Sequence, residues 1–564
     1  MNNKINFIFY FLLFPLSFIL FPLSLLFAEN HMDLMRELVG EHRDSRFGYS
    51  TASMDFNGDS IDDLVVGSWR WDPEYTGVGS PAYVGKIYFY FGKEENFADT
   101  TDLTISGDSL YAYLGIHLEN LGDMNNDGFE DLGFYNLTKD DEGHIYMQID
   151  ILLGNADCDT IPDYVYTLPC SLYENIFSSG YIRPLGDINN DSYDDAGVVL
   201  EGQNDIHYFY LIFGNEFELI YLCQYPITYA GYNGANIYGI GDVNNDGFDD
   251  FMLGYGVAPE QTYYNYLYFG NTIIDPVADL VIDDVPYLST AGGVSCGDWD
   301  GDSIDDFVGY CCYDQGVSIW LGHEAGNLQP DTYVEYYSSL STLRKYDYGD
   351  LNNDGKDDIL IGLPTYGSSG RAYIYLGGNN GICDLNIESN EYNSNLGWAI
   401  AVGDYNNDGY ADAAFGAPSF DGNHISWNGK VWIYAGNEEL SDTTAGTENP
   451  NILPVPVIEF NAYPNPFNPS VTFTVKFSNE PVSAELRHGR QNQQYEQLQI
   501  EIFNVKGQKV KILECINRVN AETTRSFHSI TWNAEKHASG IYYCKLINIE
   551  TGAILSVKKV TLMK

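Results

Sequence analysis

At 564 residues, with 44% hydrophobic and 15% aromatic side chains, the chain is too long for one hydrophobic core and too rich in apolar material for disorder. Its 80 Asp+Glu against 27 Lys+Arg give a formal net charge of −53, which excludes a nucleic-acid partner because phosphate backbones need a basic footprint. The imbalance is local: from Glu459 onward there are 13 basic and 9 acidic residues, against 14 and 71 before it.

In chain order, Lys4 precedes an apolar run from Phe7 to Phe27 that ends at Ala28, before the polar Glu29-Asn30. Residues 1–28 read as a signal peptide, the rival being an uncleaved anchor, because the run is long and Leu26 is a poor residue three before the cut. No later stretch is long and apolar enough to cross a bilayer as a helix. The nine cysteines fit an oxidising compartment and form no CxxC pair. Cys158 with Cys170, and Cys515 with Cys544, are possible bridges, and an odd count leaves at least one thiol unpaired.

A nine-residue acidic pattern then recurs seven times: Asp-x-Asn/Asp-x-Asp-Gly/Ser-x-x-Asp, followed at once by apolar residues. Its positions 1, 3, 5 and 9 are Asp55, Asn57, Asp59 and Asp63; Asp123, Asn125, Asp127 and Asp131; Asp187, Asn189, Asp191 and Asp195; and Asp242, Asn244, Asp246 and Asp250. The last three copies are Asp298, Asp300, Asp302 and Asp306; Asp350, Asn352, Asp354 and Asp358; and Asp404, Asn406, Asp408 and Asp412. Ca²⁺ is a hard cation that takes six to eight oxygens at about 2.3–2.6 Å. A tight loop aims side chains 1, 3 and 5 at one centre, offers the carbonyl of residue 7 and closes with the carboxylate at 9, so the pattern predicts up to seven Ca²⁺ sites. Position 6 needs a sharp bend, which suits Gly128, Gly247, Gly355 and Gly409 and strains Ser60, Ser192 and Ser303. Solvated acidic turns would not repeat carboxylates at 1, 5 and 9 seven times. An EF-hand needs an acid at position 12, where Val66, Phe134, Val198, Leu253, Gly309, Ile361 and Phe415 stand.

Each loop leads into short apolar and aromatic runs, the later of them ending in glycine, such as Ile87–Gly92 and Val431–Gly436. Successive loops start 68, 64, 55, 56, 52 and 54 residues apart, room for about four strands of roughly 5–6 residues each. Such a sheet cannot bury both faces alone, and radial stacking gives a seven-bladed β-propeller over residues 32–440, with a linear solenoid as the alternative. Leu34–Val39 is a candidate strand for closing the ring, a helical turn being equally open to those residues.

The repeats resemble the FG-GAP family of integrin α-chain propellers. The resemblance lies in Leu396-Gly-Trp-Ala-Ile-Ala-Val-Gly-Asp404, Phe415-Gly-Ala-Pro418 and Gly429-Lys-Val-Trp-Ile-Tyr434. It implies a seven-bladed ring with Ca²⁺ at the positions named, and fixes no ligand. Only the sixth and seventh copies keep a Gly-x-Pro step.

Residues 441–457 read as a polar linker. Residues 458–564 carry Tyr463-Pro-Asn-Pro-Phe-Asn-Pro-Ser470, alternating strands, Ser539-Gly-Ile-Tyr-Tyr543 and a closing Lys558-Lys-Val-Thr-Leu-Met-Lys564, a pattern that suggests a small immunoglobulin-like β-sandwich. This part resembles the type A C-terminal sorting domain of type IX secretion. The resemblance implies a partnership with the export machinery and a secreted or outer-surface location; the alternative is a sandwich used as a stalk. The insertion Ala484–Gln497 departs from the pattern.

No HExxH, GxSxG, P-loop or Rossmann fingerprint stands in a fitting context, so the chain reads as no enzyme. His117, His207 and His323 read as ordinary strand or loop residues. The leading reading is a surface binding or adhesion module with a glycan or protein ligand, the alternatives being a polysaccharide-acting enzyme and a structural surface-layer component. Trp69, Trp71 and Tyr75, with His424 and Trp427, stand in two long segments suited to stacking on sugar rings or anchoring a protein. Packing onto their own sheet is the competing reading.

Overall fold

The computed structural model describes residues 31–75, 82–94, 97, 100–139, 145–169, 180–201, 206–226, 236–257, 262–283, 293–311, 316–322, 330–335, 345–365, 369–378, 383–389, 391, 393–421, 427–441, 457–463, 468–478, 497–504, 509–517, 525–548 and 554–563. The expected leader, most of the expected linker and all of the insertion Ala484–Gln497 except its last residue lie outside these residues. The chain divides into two compact units, Met1–Thr443 and Thr444–Lys564. Both are all-β and antiparallel, with no helix among the described residues.

The first unit opens with β1 (Asp33–Val39) and then builds six four-stranded sheets in sequence order. They are β2 (Ser50–Met54), β3 (Asp63–Gly67), β4 (Lys86–Tyr90) and β5 (Leu103–Ser106); β6 (Leu118–Asn120), β7 (Leu132–Lys139), β8 (Ile145–Leu152) and β9 (Tyr164–Pro169); and β10 (Gly180–Gly186), β11 (Asp195–Glu201), β12 (Ile206–Ile212) and β13 (Leu219–Pro226). Next come β14 (Asn236–Gly241), β15 (Asp250–Val257), β16 (Thr262–Tyr268) and β17 (Leu280–Asp283); β18 (Gly293–Gly297), β19 (Asp306–Cys311), β20 (Gly316–Trp320) and β21 (Pro330–Glu335); and β22 (Lys345–Gly349), β23 (Asp358–Leu363), β24 (Arg371–Tyr375) and β25 (Leu385–Glu388). The seventh sheet joins β26 (Ala399–Gly403), β27 (Asp412–Ala417) and β28 (Lys430–Ala435) to β1 as its outer strand, with Leu38 opposite Val431. The start of the unit is thereby tied to its end.

The first strands pack against one another in a closed circuit: β2, β6, β10, β14, β18, β22, β26 and back to β2. Side chains meet inside it, since Glu119 of the second sheet accepts from Arg183 of the third and lies 3.6 Å from Lys345 of the sixth. The second strands β3, β23 and β27 are buried at every residue, as expected for sheets covered on both faces and the reason these segments are continuously apolar. The cores are shared between neighbours: Leu38, Phe47, Leu64, Val66, Tyr88, Ala401 and Val431 form one cluster across the first and seventh sheets.

The second unit has two sheets. One orders β29 (Val457–Tyr463), β30 (Ser470–Ser478) and β33 (Arg525–Asn533); the other orders β32 (Lys509–Asn517), β31 (Gln497–Asn504), β34 (Gly540–Asn548) and β35 (Ile554–Leu562). Val471, Phe473 and Trp532 from the first share a core with Ile500, Ile502, Tyr542 and Val560 from the second.

Candidate metal centres

Every acidic loop joins the first strand of a sheet to its second, which sets all seven at the same end of their sheets. Within each loop the position-1 aspartate folds the chain back on itself. One of its oxygens accepts the position-5 N–H at 2.9–3.1 Å. The other accepts the position-6 N–H at 2.7–2.9 Å. The position-5 aspartate in turn accepts the position-7 N–H at 3.0–3.2 Å. Position 6 is left-handed throughout, with φ of 83–90° at the four glycines and 67–73° at Ser60, Ser192 and Ser303. The serines therefore hold the strained backbone expected of them. Position 4 is left-handed as well, at Gly58, Asn126, Asn190, Asn245, Gly301, Asn353 and Asn407. Its restriction to Gly or Asn is visible in the sequence and follows from this backbone conformation. Position 2 (Phe56, Met124, Ile188, Val243, Trp299, Leu351, Tyr405) is buried and roots each loop in the core.

The position-9 aspartates differ from the others in being buried. Each accepts, at 2.7–3.1 Å, the N–H of the glycine that follows the third strand: Gly92, Gly154, Gly214, Gly270, Gly322, Gly377 and Gly436. These glycines explain the recurring end of the apolar runs, because a Cβ on Gly154 would stand 2.4 Å from the Glu130 carbonyl oxygen. Burial, reinforced by the charges at positions 1 and 5, pushes Asp63, Asp131, Asp195, Asp250, Asp358 and Asp412 up to about 8. Burial and the Asp300 charge push Asp306 up to about 7.

One acidic position escaped the sequence reading. Residue 8 is Asp62, Glu130, Asp194, Asp249, Asp305 or Asp357 in the first six loops and Ala411 in the seventh. Each of these carboxylates accepts the position-1 N–H of the preceding loop at 2.7–3.0 Å, Asp62 reaching Asp404 across the closure of the circuit. The signal is an acidic doublet at positions 8 and 9 in six of the seven copies, hidden because its partner lies one repeat away.

The donor set suits a hard divalent cation. All side-chain donors are oxygens, and carboxylates keep spare lone pairs beyond the bonds described. Two oxygens at predicted ligand positions, Asp63 Oδ2 and Asn189 Oδ1, are buried with no hydrogen-bond partner. In the fifth loop Asp298, Asp300 and Asp306 bring oxygens within 4.8 Å of one another. Among the described residues no ion pair reaches a loop carboxylate at positions 1, 3, 5 or 9, and the Lys356 charge, which acts on Asp300 of the fifth loop, does so without forming one.

At the other end of the sheets the two aromatic segments approach one another. Arg46 stacks over Trp427 at 4.5 Å, and His42 packs edge-on to Trp71 at 5.9 Å, so the 42–46 connection touches both. Trp427 is 41% exposed. Trp69 is 9% exposed and stacks on Tyr113 at 5.7 Å, packing onto its own neighbourhood instead of facing solvent. His424 and His323 lie outside the described residues.

The possible cysteine bridges are corrected by the structure: Cys158 and Cys544 are free thiols. In the second unit β31 lies between the strands of Cys515 and Cys544, pairing Leu498 with the first and Ile502 with the second. Two strand spacings together with the four-residue offset along β31 put their Cα atoms about 15 Å or more apart, beyond disulfide reach.

Comparison with known proteins agrees with this geometry. Residues 47–90 match the FG-GAP repeat, residues 350–415 the FG-GAP-like repeat, and residues 461–562 the secretion system C-terminal sorting domain. Mouse phosphatidylinositol-glycan-specific phospholipase D is 37% identical over 103 residues, 16% of this chain and 12% of that protein. Integrin alpha-7 of Rattus norvegicus is 32% identical over 168 residues (28% and 13%), and integrin alpha-5 of Xenopus laevis is 34% identical over 93 (16% and 9%). The chain thus spans about a tenth of the length of the curated relatives it matches. It carries FG-GAP repeats in a propeller-like all-β unit, followed by a C-terminal sorting domain of the type IX secretion system that marks it for the cell surface or the extracellular space.

Proposed function

We propose that the chain is a non-enzymatic binding or adhesion module: a seven-bladed, calcium-loaded propeller over residues 32–440, a linker over 441–457 and an immunoglobulin-like sorting sandwich over 458–564 that engages the export machinery. The observation that carries this reading is the closed circuit of seven sheets with one acidic loop at the same end of each. Residues 1, 3, 5 and 9 of the loops hold up to seven Ca²⁺, and the ions brace the ring. FG-GAP repeats of integrin-like proteins are associated with divalent cations, which supports this assignment. The activity in the name of the phospholipase D relative is not transferred, since the match spans 12% of that protein.

Bracing one end leaves the opposite end free for recognition, where loops carried by a rigid scaffold do such work. Trp427, with Arg46 covering one face of its indole, is the anchor there. The exported chain is expected to bind one class of glycan on an array, and Trp427→Ala to weaken that binding about tenfold or more. Release of reducing ends would favour the polysaccharide-acting enzyme. Silence toward all glycans and surface proteins would favour the structural surface-layer component.

A further inference from the structure

We propose that the acidic residue at position 8 of each loop is a positioning residue that couples neighbouring cation sites around the ring. The inference rests on the calcium reading above and extends it from seven separate sites to one linked set.

The geometry is repeated. Asp194 lies between residue 7 of the third loop, whose carbonyl is a predicted ligand, and the ligand Asp195. Its carboxylate accepts the Asp123 N–H at 2.7 Å, and its own N–H donates to the Asp123 carbonyl at 3.3 Å. Asp123 is the first ligand of the second loop, so residue 8 of one loop grips the peptide groups on both sides of the first ligand of the loop before it. The backbone half of this clasp recurs at six junctions, at 3.0–3.3 Å. The carboxylate half recurs at every junction except that between the sixth and seventh loops, where Ala411 offers only its N–H to Asp350. A cation that fixes residues 7 and 9 of one loop fixes residue 8 with them. That holds the first ligand of the preceding loop in place before its own ion arrives. Thermodynamic linkage makes the effect mutual: an ion in either loop raises affinity in the other. Mutual screening of the protein's negative charge by successive ions acts in the opposite sense. That effect fades at about 0.15 M salt, where the Debye length is about 8 Å, whereas the hydrogen-bonded clasp does not.

The test is a calcium titration of the full exported chain by calorimetry at about 0.15 M salt. The wild type is expected to bind with a Hill coefficient above one. Asp194→Ala removes no ligand and is expected to bind the same number of ions, with a lower Hill coefficient and about five- to tenfold weaker affinity at the flanking sites. Asp194→Asn keeps an acceptor oxygen and should titrate close to the wild type. Ala411→Asp supplies the missing carboxylate and should steepen the isotherm; it removes no bond, so it remains informative if Asp194→Ala fails to fold. Independent binding, with Asp194→Ala and Ala411→Asp superimposable on the wild type, would overturn the coupling while leaving the calcium sites intact. Loss of one whole ion in Asp194→Ala with the remaining sites unchanged would overturn it too, marking residue 8 as a ligand. No binding by the wild type would overturn the calcium reading itself.

Discussion

Chelating calcium is expected to lower the melting temperature of the repeat unit by more than about 10 °C while leaving that of the sorting unit nearly unchanged. Positions 1, 3, 5 and 9 carry 22 carboxylates, three in each of six loops and four in the fifth. The position-9 member of each loop is buried, and like charges held that close repel. Calcium at ten times the dissociation constant of an extracellular-type site contributes about 1.4 kcal/mol per site. Over seven sites that approaches about 10 kcal/mol, comparable to the whole stability of a domain. The pH dependence gives a second signature of the same chemistry. Burial raises the position-9 carboxyls of the metal-free fold to about 8, or about 7 for Asp306, from 3.8. The folded state then holds protons that the unfolded chain has released, so metal-free stability falls as pH rises from about 4 to about 8. Saturating calcium holds these carboxyls ionised in the folded state as well, so the slope over that range disappears. Differential scanning at several pH values, with millimolar calcium or with chelator, reads both effects, and coincident curves would contradict them.

Truncation before Thr444 is expected to abolish surface display while leaving the repeat unit folded inside the cell envelope. The two units have separate cores, and the C-terminal one carries the match to the sorting domain over residues 461–562. Its charge balance also departs from the acidic remainder, as expected of a segment with a different task. Protease shaving of whole cells, with circular dichroism of the retained protein, checks both halves of the prediction. Normal display of the truncated chain would refute the sorting role.

The acidic loops were legible because their spacing is a local property: one turn of chain places residues 1, 3 and 5 together wherever it occurs. The closing strand at Leu34–Val39 was legible as an apolar segment lacking a partner, although the sequence left a helical turn equally open there. Partners outside the repeat were not legible. Nothing near Asp194 announces that its carboxylate serves Asp123, and nothing near Gly154 announces that its N–H serves Asp131. The cysteine pairs looked plausible because sequence distance says nothing of the strand inserted between β32 and β34. Trp69 looked available because an aromatic after a strand reads alike whether it faces solvent or stacks on Tyr113. Position 4 differs: its Gly-or-Asn restriction stands in all seven copies but reports backbone conformation, which a pattern of ligand oxygens does not reveal.

Counting ions per chain tests most directly whether the seven acidic loops are cation sites. The exported protein, dialysed to equilibrium against millimolar calcium and analysed by elemental mass spectrometry, is expected to hold close to seven Ca²⁺ above the dialysate. Asp404→Ala, which removes the first ligand of the seventh loop, should hold one fewer. A wild-type chain with no calcium above the dialysate level would contradict the account and reduce the seven loops to acidic turns.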